Sequence, residues 1–285
     1  MSALPLTNSL PSFEPPLNSS SGDSLIATSV EAASERMQLT CPKHGKFESW
    51  RVPNRIVPNL NDCPRCLEEQ QAERDREGRE KAARQMRAAR LKKLVDLASI
   101  PARFRDRTLD DYRVTNPGQQ LAVGICRAYA ATWEDQYRKG GSLVLTGSPG
   151  TGKTHLACAI ANRIMHEHLA SVAFGAVSAV TRTVRATYGK NSDRTETQAI
   201  ADLLVPDLLI IDEVGASTGS DHELQLLFEI INKRYENLRP MLVISNLNTD
   251  DLQKFLGHRA MDRFRECGTV VAFDWASHRG QVGAA

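Results

Sequence analysis

The sequence has no apolar run approaching the ~18 residues that cross a membrane, and no membrane partner is expected. Its N-terminus lacks the basic head and apolar stretch of a secretory signal, so a cytoplasmic chain is expected. Neither charge sign dominates, since the formal net charge is only +2 over 285 residues. Aromatic residues are few, at 6%, yet 41% hydrophobic and 25% charged residues lie within the globular range. That balance excludes collagen-like and wholly disordered classes. Internal repeats are absent as well. Cysteine is sparse, and its six copies are unevenly placed. Cys41, Cys63 and Cys66 cluster, while Cys126, Cys158 and Cys267 stand singly in apolar surroundings as small hydrophobes. In a cytosolic chain such a cluster points to metal ligation rather than to a disulfide framework.

The chain divides by composition. Residues 1–37 form a disordered N-terminal segment. Met1 to Leu25 holds seven Ser and four Pro, with only Glu14 and Asp23 charged, too little apolar surface to offset ordering entropy. Residues 38–66 form a compact module bounded by Cys41-Pro-Lys-His44 and Cys63-Pro-Arg-Cys66. Residues 67–98 read as a charged linker helix without proline, stopping before Pro101 because proline disfavours helix in its predecessor. Its stretch from Arg79 to Lys93 carries seven positive charges against the single Glu80, a face suited to phosphates or to an acidic protein surface.

Residues 99–285 read as one α/β domain. Short apolar strands are expected at 142–146, 172–177, 208–212, 241–245 and 269–273. Helices are expected at 119–137, 154–168, 176–187, 221–237 and 249–255. This alternation implies right-handed βαβ units and a parallel sheet of five strands flanked by helices.

The strongest motif is Gly147-Ser148-Pro149-Gly150-Thr151-Gly152-Lys153-Thr154, between an apolar strand and an amphipathic helix. Glycines at this spacing let backbone N–H groups curl around phosphate oxygens, and the helix N-terminus adds positive potential. Lys153 is expected to reach the β- and γ-phosphates of ATP, and the Thr154 hydroxyl to ligate Mg²⁺. A later strand ends in Asp212-Glu213. Asp212 would hold the Mg²⁺ water shell and Glu213 would polarise an attacking water, which favours a hydrolase over a kinase. Asn246 closes a third strand, where it can bond the lytic water or the γ-phosphate. Arg259 and Arg263, four residues apart, share a helix face, and an arginine lent to a neighbouring subunit's phosphate implies self-association. Arg279 is a further nucleotide contact from its own subunit.

Cys41-x₂-His44 and Cys63-x₂-Cys66 supply two ligand pairs separated by 18 residues, the arrangement of a closed, structural tetrahedral zinc site.

Taken in order, these motifs resemble the DnaC-type replicative helicase loaders, an AAA+ branch close to the DnaA initiators. The resemblance covers residues 99–283. It includes Ile100-Pro-Ala-Arg-Phe-Arg-Asp, the glycine loop, Ile210-Ile-Asp-Glu-Val-Gly215, Leu256-Gly-His-Arg-Ala-Met-Asp-Arg263 and Phe273-Asp-Trp-Ala-Ser-His-Arg279. It implies an AAA+ P-loop NTPase without a large lid domain, since only 12 residues follow Phe273. It places Asn246 at sensor 1, Arg263 at the arginine finger with Arg259 as alternative, and Arg279 at sensor 2. The implied function is ATP-dependent delivery of a hexameric replicative DNA helicase onto single-stranded DNA. Arg182, Arg185, Lys190 and Tyr188 are implied as DNA contacts. The zinc pattern departs from standard members and is more like a phage-type variant. Two other readings stand beside this one: an IstB-like transposition helper, and a zinc-dependent DNA-binding adaptor with a nucleotide switch.

Overall fold

A computed structural model describes residues 35–51, 63–189, 193–216 and 220–278. The chain divides into two compact units, Met1–Ala83 and Arg84–Ala285. Among the described residues, no helix is long and apolar enough to cross a membrane.

In the first unit, strands β1 (Glu35–Cys41) and β2 (Gly45–Arg51) pair antiparallel, from Glu35 opposite Arg51 to Cys41 opposite Gly45. β1 begins at Glu35, inside the span the sequence leaves disordered; the rest of that span lies outside the described residues. The turn between them closes at Gly45, whose φ of 80° suits a residue without Cβ. Met37, Leu39 and Phe47 are half-buried, and Leu39 faces Phe47 across the ladder. Helix α1 (Pro64–Leu97) starts three residues before the expected span. Proline suits its first position because that N–H needs no intrahelical acceptor.

The second unit opens with the last turns of α1. There Leu91, Leu94 and Val95 pack on the core, and Arg87 donates to the carbonyls of His166 and Glu167. Helices α2 (Pro117–Ala131) and α3 (Trp133–Lys139) follow where one helix was expected. The break falls at Thr132, whose ψ of 26° leaves the helical region. Then come β3 (Ser142–Gly147), α4 (Lys153–His168), β4 (Val172–Ala176), α5 (Val177–Arg185) and α6 (Glu196–Asp202). The chain continues through β5 (Leu208–Val214), α7 (Asp221–Glu236), β6 (Met241–Ser245), α8 (Thr249–Leu256), α9 (His258–Cys267) and β7 (Gly268–Phe273). The short α6 has no apolar run to announce it; its sequence signal is the Thr195–Gln198 capping box.

The sheet is five-stranded and parallel, in the order β4-β5-β6-β3-β7. Its strands read as continuous apolar runs because both faces are covered. Leu143, Leu145, Leu208, Ile210, Leu242 and Ile244 pack into one core with α2 and α4. The alternate residues, Val144, Leu209, Ile211, Met241 and Val243, pack into the other with α5, α7 and α9. Arg234 on α7, 0% exposed, donates to the carbonyls of Leu203 (2.6 Å), Pro206 (3.0 Å) and Pro240 (2.8 Å). Its planar fork of donors satisfies carbonyls that a buried loop would otherwise leave unpaired.

Candidate functional site

The glycine loop joins β3 to α4 at the C-terminal edge of the sheet. Gly147, Gly150 and Gly152 adopt φ of 114°, 78° and 95°, so the tight curl of 147–154 rests on residues without Cβ. A Cβ at Gly147 would lie 2.3 Å from the Phe273 carbonyl oxygen, and one at Gly152 would lie 2.4 Å from the Tyr112 ring. Lys153 is buried and donates to the Gly147 (2.6 Å) and Ser148 (2.7 Å) carbonyls. The Thr154 hydroxyl donates to Asp212 Oδ2 at 2.9 Å, so the two residues expected at Mg²⁺ are already adjacent.

Several bonds hold the loop from outside. The Ser148 N–H donates to the Phe273 carbonyl (3.0 Å), and the His278 N–H to the Gly150 carbonyl (2.9 Å). The Tyr112 hydroxyl (2.6 Å) and the Trp275 indole N–H (3.2 Å) both donate to the Thr151 carbonyl. Burial pushes the Tyr112 hydroxyl up to about 12, so it remains a donor at neutral pH.

β5 runs past the expected strand end to Val214, and its ladder to β6 slips between Ile211 and Val214. The extra residue forms a bulge, a feature over-represented beside active sites because it re-aims side chains. Glu213 sits in it with φ of 63°, exposed, and its N–H bonds Asp212 Oδ1 at 2.7 Å. For a non-glycine residue that is a strained conformation, held here by the flanking strand and by the Ser245 hydroxyl on the Val214 carbonyl (2.6 Å). Asn246 is exposed at the end of β6.

On α9, Arg259 is exposed, whereas Arg263 is half-buried with its guanidinium 4.7 Å over the Tyr235 ring. Arg182 and Arg185 are exposed on α5, and Arg185 donates to the Ser220 hydroxyl. Tyr188 donates to Glu196 (2.8 Å), and its hydroxyl also meets His222 Nε2 (2.9 Å). Lys190 and Arg279 lie outside the described residues.

The first unit brings Cys41, His44, Cys63 and Cys66 together, with all ligand atoms within 4.8 Å of one another. His44 Nδ1 lies 3.8, 3.6 and 3.3 Å from the sulfurs of Cys41, Cys63 and Cys66, and Cys41 and Cys66 are 3.5 Å apart. Zinc–ligand bonds of ~2.3 Å to sulfur and ~2.0 Å to nitrogen require tetrahedral edges of roughly 3.5–3.8 Å; three of these distances lie in that range and the one from Nδ1 to Cys66 is slightly shorter. The other ring nitrogen, Nε2, meets Glu69 Oε1 at 3.0 Å, the carboxylate that commonly orients a metal-ligating imidazole. Lys43 and His44 hold the Glu69 carboxyl below its usual range. Backbone N–H groups of His44 and Lys43 pull the Cys41 thiol down to about 6, and the hydrogen bond to Cys41 pushes the Cys66 thiol up to about 11. Reading the ligands alone misses Glu69, although it stands three residues after Cys66 and so shares its helix face. Tyr112 and Trp275 were also missed as loop partners, since nothing local ties them to Thr151.

Comparison with known proteins agrees with this geometry. A family model described as IstB-like ATP binding protein matches residues 66–279. The chain is 32% identical over 200 residues to the replicative helicase loader DnaC of Escherichia coli strain K12, covering 70% of this chain and 80% of that protein. It is 28% identical over 232 residues to DnaC of Buchnera aphidicola subsp. Acyrthosiphon pisum, covering 81% and 92%. The crystal structure of the DnaC helicase loader shares the fold, with a TM-score of 0.56 at 24% identity over 61% of this chain and 100% of that one. With its phosphate-loop geometry and a family match across residues 66–279, the chain belongs to the IstB/DnaC-like AAA+ ATPases.

Proposed function

We propose that the protein is an ATP-dependent loader that places a hexameric replicative DNA helicase onto single-stranded DNA. The observation that carries this reading is the 32% identity to a helicase loader across 80% of that protein's length. Lys153 and the N–H groups of 150–154 bind the phosphates; Thr154 and Asp212 hold Mg²⁺, which neutralises phosphate charge when bound. Glu213 accepts the proton of the attacking water, and Asn246 orients that water. Arg263 contributes to a neighbour's site, with Arg259 as the alternative, and Arg279 contacts the nucleotide of its own subunit. Arg182, Arg185, Lys190 and Tyr188 contact DNA. Cys41, His44, Cys63 and Cys66 hold structural zinc, and a fully protein-ligated ion has no open position for catalysis. The domain plan follows: an N-terminal segment, the zinc module, the α1 linker and the ATPase domain.

Native mass spectrometry with the host's hexameric replicative helicase, with and without ATP, tests the reading. A discrete complex containing one helicase hexamer is expected. No complex in either condition transfers the proposal to a transposition helper, the reading favoured by the IstB-like family description.

Glu213→Gln tests the hydrolytic assignment separately. Removing the base is expected to lower ATP turnover by about 10²–10⁴-fold. Affinity for a fluorescent ATP analogue should stay within about twofold, since the amide is isosteric. Turnover that survives the substitution would move the proton acceptor elsewhere.

A further inference from the structure

We propose that Tyr112 and Trp275 form an external brace that presets the phosphate-binding hollow, making them positioning residues for nucleotide binding. The inference deepens the phosphate-loop reading and rests on it. In a planar trans peptide the C=O and the following N–H point in opposite directions. The described residues contain no cis peptide bonds. Fixing the Thr151 carbonyl outward therefore aims the Gly152 N–H inward, where a phosphate oxygen would sit. Fixing the Gly150 carbonyl on the His278 N–H does the same for the Thr151 N–H.

The brace is drawn from both ends of the domain. Tyr112 precedes α2, and its ring leaves no room for a Cβ at Gly152. Trp275 follows β7 and packs on Phe273 with ring centroids 4.7 Å apart. Thr151 is only 2% exposed, so water does not readily replace a lost donor. A carbonyl oxygen has two lone pairs, and here each has its own donor. That sharing sets a specific expectation. Losing either donor leaves the carbonyl on a single bond and less tightly aimed, whereas losing both leaves a buried acceptor unpaired and frees the peptide to rotate.

The test is a double-mutant cycle on the full chain with Tyr112→Phe and Trp275→Phe, both keeping an aromatic ring. Affinity for a fluorescent ADP analogue is the readout. Each single variant should weaken binding about twofold to threefold. The double variant should weaken it about tenfold to a hundredfold, more than the product of the singles. The loss should fall on KM for ATP more than on kcat, because the brace shapes binding rather than the hydrolytic step. A double variant whose nucleotide-free melting temperature drops while affinity holds would make these residues structural only and overturn the proposal. If the double variant does not fold, Y112F decides: an unchanged ADP affinity overturns the brace. Lys153→Ala is the separate control. Should it retain full nucleotide affinity, the phosphate-loop reading fails, whatever the brace variants do.

Discussion

Replacing Arg263 with alanine is expected to lower the ATP turnover of the assembled protein by about 10³–10⁵-fold, the range measured for arginines that stabilise phosphoryl transfer. The geometry favours Arg263 over Arg259. Its guanidinium lies 4.7 Å over the Tyr235 ring, and the Tyr235 hydroxyl donates to Glu266 at 2.7 Å. A cation–π contact attracts the guanidinium to the ring without consuming its terminal N–H donors, which can still meet phosphate oxygens. Arg263 Nε is itself buried without a partner. Such an arginine is partly immobilised before it meets its target, which lowers the entropy lost on engagement. Arg259, exposed one turn earlier, lacks that support. Its alanine variant should lose less than about tenfold, and the reverse ranking would assign the finger to Arg259. Mixing supplies the decisive measurement. R263A subunits keep an intact phosphate loop, while Lys153→Ala subunits keep an intact arginine. Phosphate release should reappear in the mixture when the two sit at one interface. No recovery at any ratio would place Arg263 in its own subunit's site.

Removing zinc is expected to abolish the folded state of the hairpin module. Two-stranded hairpins are marginal in water on their own. Among the described residues, the half-buried apolar side chains that line the hollow beside its cysteines are Met37, Leu39, Phe47 and Leu67. Structural zinc in small domains contributes on the order of 10–16 kcal/mol, far more than those side chains can supply. One zinc per chain should be found by elemental analysis. Strong chelation, or Cys66→Ser, should open residues 35–51 to hydrogen exchange and proteolysis. Glu69→Ala should weaken zinc binding about 10–100-fold while the site still forms, because the carboxylate orients the His44 ring and is not a ligand. Metal-free protein with an equally protected hairpin would remove zinc from the account.

Much of this protein is legible locally. The glycine loop, the five apolar strands and the paired Cys/His spacings are each contiguous in sequence, so residue type and spacing announce each of them. Both-face burial of the sheet was legible for the same reason, because an uninterrupted apolar run has no solvent-facing alternate. Elements without a local apolar pattern were not legible. The β1–β2 strands mix polar and apolar residues and border a segment of disorder-like composition. The seven-residue α6 carries only a capping signal.

The sequence by itself therefore determined the chemistry available: a phosphate loop, a carboxylate pair, strand-end Asn246, α9 arginines and four Cys/His residues at the spacing that suits a metal. Only the tertiary structure decided how those groups are aimed. The strand order β4-β5-β6-β3-β7, the bulge that turns Glu213 out at φ of 63°, and the seat of Arg263 on Tyr235 all depend on partners in other elements. So do the Glu69 contact to His44 and the convergence of Tyr112 and Trp275 on one carbonyl. Residue type and spacing specify which groups exist. Their directions arise from packing between segments far apart in the chain, which no local pattern encodes.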